Sequence, residues 1–195
     1  MPDEPYPTLD EFWERLDKRK TERDLRDELR RRTDRESGVV ARVGPPETVV
    51  AVVDRILPGT AVPPEALAAF VDEMFDRQHG RGDERLGVLA RDQLIPRGFE
   101  TLDREAGGSF AGLAVEQQDA LLSRAERGDL HGGDGFSSSQ WFSRLRDLVL
   151  LAFGSDPRGM VHMGFPGPSY QPGYVWLGSG EVAKRADRAP GHERL

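Results

Sequence analysis

The sequence predicts an all-α protein: a small helical domain with a long charged N-terminal helix and an extended C-terminal tail rich in Pro, Gly and aromatic residues. Apolar residues recur at intervals of three and four through most of the chain. Glycine and proline fall mainly between these stretches, where helices start and stop. Only the short runs at 39–40 and 175–177 look like strands. Helices without strands indicate a core of helix packed on helix.

The composition indicates one domain with additional arms, and it excludes several kinds of site. The chain of 195 residues is long enough for one hydrophobic core, and its formal net charge of −7 argues against a nucleic-acid partner. The absence of cysteine excludes disulfides, thiolate metal sites and cysteine nucleophiles. No apolar run approaches the roughly 20 residues of a spanning helix, and no signal peptide or twin-arginine signal is visible. We therefore expect a cytoplasmic protein without direct membrane insertion, unless a partner exports it.

Residues 1–44 are predicted to form a charged helical arm and a linker. From Thr8 to Glu36, acidic and basic residues alternate with almost no Gly or Pro, which is typical of one long, largely exposed helix. A short apolar stripe in its first turns consists of Leu9, Phe12, Trp13 and Leu16, and Leu25 and Leu29 continue it thinly. Two interpretations remain open: an arm that reaches a partner, and a solvated helix that lies on its own domain.

Residues 45–157 are predicted to form the compact helical domain. Pro and Gly mark its helix boundaries, and Pro96 is expected to kink or divide the third helix. Before the last helix of the domain, the predicted helices cover residues 46–57, 63–75, 84–106 and 113–127.

The last predicted helix follows three serines, Ser137 to Ser139, any of which can cap its free N–H groups. Gly154 is expected to end this helix, and the pair Asp156-Pro157 to prevent its continuation. Its apolar residues recur at helical spacing: Trp141, Phe142, Leu145, Leu148, Val149, Ala152 and Phe153.

Residues 158–195 are predicted to form an extended docking tail. The segment 164–176 contains too much Pro and Gly for a helix, and its aromatic residues favour contact with another surface. A segment stiffened by proline loses little conformational entropy on binding, so it suits docking on the chain's own helices or on a second protein. The predicted partner-binding residues come from this tail and from the last helix: Trp141, Phe142, Leu145, Phe165, Pro166, Pro168, Tyr170, Tyr174 and Trp176.

The sequence predicts no catalytic, cofactor-binding or metal-binding residue. Its four histidines lack the i, i+4 spacing of a helical metal pair, although His131 and His162 flank the last helix and are the candidates for a hidden site. The glycine-rich loop 131–135 lacks the Lys and Ser/Thr of a phosphate-binding loop. The carboxylate pairs Asp72–Glu73 and Asp103–Glu105 are expected to be solvated on polar helix faces.

A set of ordered motifs resembles the gluconate 2-dehydrogenase subunit 3 family. The first, Val-Val-Asp-Arg-Ile-Leu-Pro at 52–58, is similar to the opening motif of that family. The resemblance spans roughly residues 46 to 168. Its specificity comes from the order in which the motifs follow one another along the chain. The other motifs lie at 98–103, 110–113, 117–122, 141–148, 153–157 and 164–168.

The resemblance implies a non-catalytic small subunit of a flavin-dependent sugar or polyol dehydrogenase. In such complexes the FAD is held by a large subunit of the glucose–methanol–choline oxidoreductase (GMC) type, and a c-type cytochrome often accepts the electrons. One branch of the family oxidises position 3 of glycosides, and this chain is a candidate for that branch. Two alternatives remain: a transient chaperone or adaptor for maturation of the flavoprotein, and a self-sufficient enzyme with a site around His131 and His162.

The chain departs from the family pattern in three places. Many members carry a twin-arginine signal, which is not visible here. Residues 158–163 replace the Gly-Gly-Asn segment common in the family, so substrate preference is expected to differ if this loop approaches the active site of the large subunit. The charged segment before Glu36 and the tail after Tyr170 extend beyond the resemblance.

Overall fold

The computed structural model describes residues 8–18, 23–33, 42–77 and 91–164. These ranges contain α-helices and one 3-10 turn at Phe110–Gly112 but no strand, which confirms the all-α prediction. None of the helices in these ranges is both long enough and apolar enough to span a membrane. The helices are α1 (Leu9–Lys18), α2 (Arg23–Thr33), α3 (Pro46–Ile56), α4 (Pro64–Arg77), α5 (Arg91–Glu105), α6 (Val115–Arg127), α7 (Ser138–Ser155) and α8 (Pro157–His162).

Helix α7 is the centre of the bundle and packs against α4, α5, α6 and α8. Other helices surround α7 on most of its circumference, so apolar residues on several sides of α7 contact a neighbouring helix. Trp141, Leu145 and Val149 are fully buried, and they join the apolar faces of α3, α4, α5 and α6 in one continuous core.

The predicted helix boundaries are mostly observed. Ser137 caps α7, since its Oγ accepts the N–H of Gln140 at 3.4 Å. Gly128 ends α6 with a left-handed φ of 89°, which favours glycine. Helix α7 does not end at Gly154 as predicted but continues through Ser155.

A further helix, α8, begins where the sequence predicted an extended tail. Asp156 accepts the N–H of Arg158 at 2.8 Å, and Pro157 occupies the first turn, where its missing N–H is harmless. Residues 158–163 therefore form most of α8 and the turn after it, not a loop, and the tail boundary at 158 is corrected. The segment from Phe165 onward lies outside the described residues.

Helix α5 passes through Pro96 without division. The proline removes one backbone hydrogen bond, but Ile95, Phe99 and Leu102 on either side of it are fully buried in the core, which holds the helix together. The predicted start of this helix near residue 84 lies in a range that the structure does not describe.

The charged N-terminal segment forms two helices, not the single long helix that the sequence predicted. Phe12 of α1 and Leu29 of α2 are buried in the same small cluster, whereas one continuous helix would separate them by roughly 25 Å. The guanidinium of Arg30 also lies 5.8 Å from the ring centre of Trp13. The two helices pack on α8, so the interpretation of a solvated element lying on its own domain is the one observed.

Candidate partner-binding surface

The outer face of α7 carries an apolar strip that the bundle leaves uncovered. Phe142, Arg146 and Leu150 are four residues apart, so they lie on one side of the helix. Phe142 is half-buried, while Leu150 and the adjacent Leu151 are 49% and 44% exposed. Met163, 53% exposed in the turn after α8, continues this surface past the last turn of α7, where its methyl lies near Gly154. We call Phe142, Arg146, Leu150, Leu151 and Met163 the α7 strip.

One end of the α7 strip opens into a groove of about 360 Å³ between α3, α6 and α7. Two ion pairs border it. Arg55 Nε lies 2.9 Å from Asp119 Oδ1, and Arg146 Nη1 lies 3.7 Å from Glu126 Oε1. The groove thus places an aromatic ring inside a polar rim with balanced charge, an arrangement typical of protein–protein contact sites. The groove is lined by Arg55, Ile56, Asp119, Leu122, Ser123, Glu126, Phe142 and Arg146.

The other end of the strip is exposed apolar surface. Leu150 and Leu151 belong to an unbroken apolar run from Leu148 to Phe153, and a helix cannot turn six successive side chains inward. Contiguous exposed apolar side chains of this kind mark surfaces that bind another protein or a ligand. Leu150 and Leu151 are not among the partner-binding residues predicted from the sequence, although the length of the apolar run is a signal that at least some of its side chains are exposed.

Two of the predicted partner-binding residues belong to the core instead. Trp141 and Leu145 are 0% exposed, because α7 turns them toward the other helices of the bundle. The indole N–H of Trp141 donates to the carbonyl of Ile95 at 3.1 Å. Their assignment to a partner surface is therefore corrected, whereas Phe142 lies on the α7 strip.

The remaining predicted partner-binding residues lie outside the residues that the structure describes. These are Phe165, Pro166, Pro168, Tyr170, Tyr174 and Trp176.

One carboxylate predicted to be solvated is buried. Asp72 is 4% exposed, and its Oδ1 accepts the backbone N–H groups of Arg42 and Val43 at 3.1 and 3.2 Å. It therefore attaches the segment before α3 to α4. The position of Asp72 next to apolar residues of α4 indicates burial. The sequence does not show, however, which distant N–H groups the carboxylate binds.

Asp103 has a similar structural role at the end of α5. Its Oδ1 accepts from the hydroxyl of Thr48 and from the N–H of Phe110, both at 2.8 Å. Both carboxylates thus organise backbone and neighbouring side chains.

The described ranges contain no group of three His, Asp or Glu side chains arranged to hold a metal ion. The His131 carbonyl accepts from Arg104. His162 lies edge-on to Phe153, with ring centres 5.8 Å apart. The contacts of His131 and His162 are therefore local to their own surroundings. These contacts do not join the two side chains in the catalytic site that the sequence left open as an alternative.

The motifs identified in the sequence meet in space. Arg55, in the first motif, pairs with Asp119 of the 117–122 motif. The backbone of Gly98 lies against the indole of Trp141. Asp103 bonds to Phe110, at the start of the 110–113 motif. Their order along the chain thus corresponds to a set of mutual packing contacts.

Residues 46–172 match the protein family described as Gluconate 2-dehydrogenase subunit 3. No curated protein and no solved structure matches the chain. The matched range covers more than half of the sequence and includes every helix from α3 to α8. The chain therefore belongs to the gluconate 2-dehydrogenase subunit 3 family.

Proposed function

We propose that this chain is the non-catalytic small subunit of a flavin-dependent sugar dehydrogenase, and that it binds and stabilises an FAD-carrying large subunit of the GMC type. The family description, which names a subunit, supports an assembly with other chains. The observation that carries the proposal is the α7 strip, where Leu150, Leu151 and Met163 leave large apolar side chains in water on an otherwise strongly charged protein.

In this proposal the two chains divide the work. The large subunit holds FAD and abstracts hydride from a sugar or polyol, with position 3 of a glycoside as a candidate site of oxidation. Electrons pass to a c-type cytochrome or another acceptor. The small subunit supplies a rigid helical surface, and the complex is cytoplasmic unless the large subunit carries an export signal.

The groove and the exposed end of the strip have different roles in binding. Phe142 lies where an apolar side chain of the partner can pack inside a polar rim, and such enclosed aromatic contacts dominate binding energy. Leu150, Leu151 and Met163 add apolar area. Arg146 and Glu126 lie at the rim, where charged pairs set specificity more than affinity.

Co-purification of the tagged chain from its native cells tests this proposal. We expect a yellow complex with a flavin absorbance spectrum and a stoichiometric second chain. Leu150→Asp and Leu151→Asp should release that chain. Val115→Asp is the matched control, because Val115 is 47% exposed in the first turn of α6 and does not line the groove. A colourless chain that purifies alone contradicts the subunit assignment and favours a transient adaptor.

A further inference from the structure

The N-terminal helices have a hydrophobic cluster of their own. Phe12 and Leu29 are 0% and 2% exposed, but their cluster is separate from the main core of the bundle. The apolar groups packed around them are Leu9, Trp13 and two residues of α8, Met160 and Val161. Satellite clusters of this kind form units that open at lower free energy than the main core.

The attachment of α1 and α2 is centred on α8, although Arg32 of α2 also borders Leu67 and Phe70 of α4. Their main packing contacts are with α8, which has only six residues. A polar contact adds to it: Arg32 Nη1 donates to the carbonyl of Ser155 at 3.2 Å, while Arg32 Nε contacts Glu28 Oε1 at 2.9 Å. Helix α8, in contrast, is joined to α7 through the buried Asp156.

The helix pair lies outside the range that matches the family, and the surface beneath it lies inside that range. The family match begins at residue 46, so α1 and α2 lie before it, whereas Met160 and Val161 lie within it. The two helices that precede the matched range therefore pack on a helix within it.

We propose that the α1–α2 pair is a separable cover over α8, which opens as a unit while the α3–α8 bundle stays folded. The closed state hides the apolar side of α8. The open state uncovers Met160 and Val161 next to Met163, and so enlarges the α7 strip. The cover thus controls how much apolar surface the chain presents. This opening is a property of the chain alone and does not depend on the proposed flavoprotein partner.

Cysteine labelling tests the cover directly, because the natural chain contains no cysteine. Leu29→Cys places a thiol in the satellite cluster, and Leu145→Cys places one in the main core, with the same change of side chain. In native buffer the labelling rate follows the fraction of molecules in the open state when closing is fast. We expect Leu29→Cys to react at least about 100-fold faster than Leu145→Cys, because it needs only the local opening.

A second pair of variants tests the contact with α8. Met160→Asp in the Leu29→Cys background should raise the labelling rate by about tenfold or more, because a charge in the satellite cluster favours the open state. Val115→Asp in the same background should leave the rate unchanged. Equal rates for Leu29→Cys and Leu145→Cys would overturn the proposal, since the pair would then open only with the whole protein.

Hydrogen exchange of the unmodified chain provides a measurement that no substitution can disturb. Amides of α1 and α2 should exchange through an opening that depends little on denaturant, while amides of α7 should exchange only through global unfolding. Exchange of both regions through the same denaturant-dependent unfolding would contradict a separable cover.

Discussion

The indole of Trp141 lies directly on the backbone of Gly98. A Cβ placed on Gly98 would come within 1.9 Å of the indole Nε1, which is far inside van der Waals contact. The same indole N–H donates to the Ile95 carbonyl one turn earlier on α5, and its ring packs edge-on against Phe99 at 5.5 Å. The absence of a side chain at Gly98 therefore allows α5 and α7 to approach closely enough to bury the largest residue of the core.

Gly98→Ala should destabilise the fold because its methyl group and the Trp141 ring cannot occupy the same space. We expect a loss of about 1–3 kcal/mol or more, the usual cost of overpacking a core. Urea denaturation followed by far-UV circular dichroism measures it. Gly112→Ala is the control, since an added Cβ there meets no atom within 4 Å. Equal midpoints for the two variants would show that the indole moves aside at little cost.

Trp141→Ala and Phe142→Ala should separate folding from binding, although the residues are adjacent. Trp141 is fully buried, so its truncation should cost about 3–5 kcal/mol of unfolding free energy. Phe142 is half-buried in the groove, so its truncation should cost less stability but should weaken the complex by roughly 1–2 kcal/mol. Urea titration and the affinity for the proposed large subunit measure these two effects. Loss of binding without loss of stability in Trp141→Ala would reverse the assignment.

The periodicity of α7 predicted its core positions because helical spacing determines which residues share a face. It did not determine which faces would be covered, since that depends on how many helices surround α7. Trp141 and Leu145 were therefore assigned to a partner surface although the bundle covers them. Leu150 and Leu151, equally apolar, remain in water.

Contacts between distant segments could not be predicted from the sequence, for a different reason. Thr8 and Glu11 bond to each other's backbone N–H at 2.7 and 3.2 Å, a local cap that residue types indicate well. Asp72, by contrast, meets N–H groups 29 and 30 positions away. Likewise, the length of the N-terminal charged run did not reveal that Phe12 and Leu29 pack together, because charge alternation is the same in one helix or two.

Asp72→Ala should weaken the attachment of the segment before α3 to α4. Its removal leaves the N–H groups of Arg42 and Val43 without the carboxylate, and the loss of such buried bonds typically costs about 1–3 kcal/mol. Asp72→Asn keeps an acceptor oxygen and should lose less. Asp147→Ala, at an exposed position of α7, is the control and should change little. Thermal and urea unfolding measure the three variants; equal stability of Asp72→Ala and Asp147→Ala would argue against this role.

The Arg55–Asp119 pair should contribute little to stability despite its 2.9 Å separation. The Asp119 side chain is 51% exposed, and water screens such pairs, so the coupling energy should be about 1 kcal/mol or less. A double-mutant cycle of Arg55→Met and Asp119→Asn in urea denaturation measures it. Because the pair borders the groove, the same variants should change the association rate with the proposed large subunit more than they change folding. A coupling well above that range would mean that the pair is shielded from water.

Helix α2 should lose stability in acid through Glu28, which pairs with Arg31 and Arg32 of the same helix. Partial burial raises the pKa of the Glu28 carboxyl. Hydrogen bonds from Arg32 and Arg31 together lower it by a larger amount, so the pKa lies below its usual value of 4.5. A carboxyl whose pKa is lower in the folded state stabilises that state above the unfolded pKa, and the stabilisation is lost as pH falls through the folded value. The loss is therefore expected below pH 4.5. The charged groups around this carboxyl are Arg31, Arg32 and, in α4, Glu73, which acts on Arg31.

Hydrogen exchange of the α2 amides, compared between the unmodified chain and Glu28→Gln at each pH, checks this dependence because the intrinsic pH effect on exchange cancels. At about pH 6 the unmodified chain should exchange more slowly than Glu28→Gln, and this difference should shrink as the pH falls below 4.5. Amides of α7 serve as the internal reference, since Glu28 does not contribute to the main core. A difference between the two proteins that persists unchanged at low pH would show that the ionised carboxylate is not what stabilises α2.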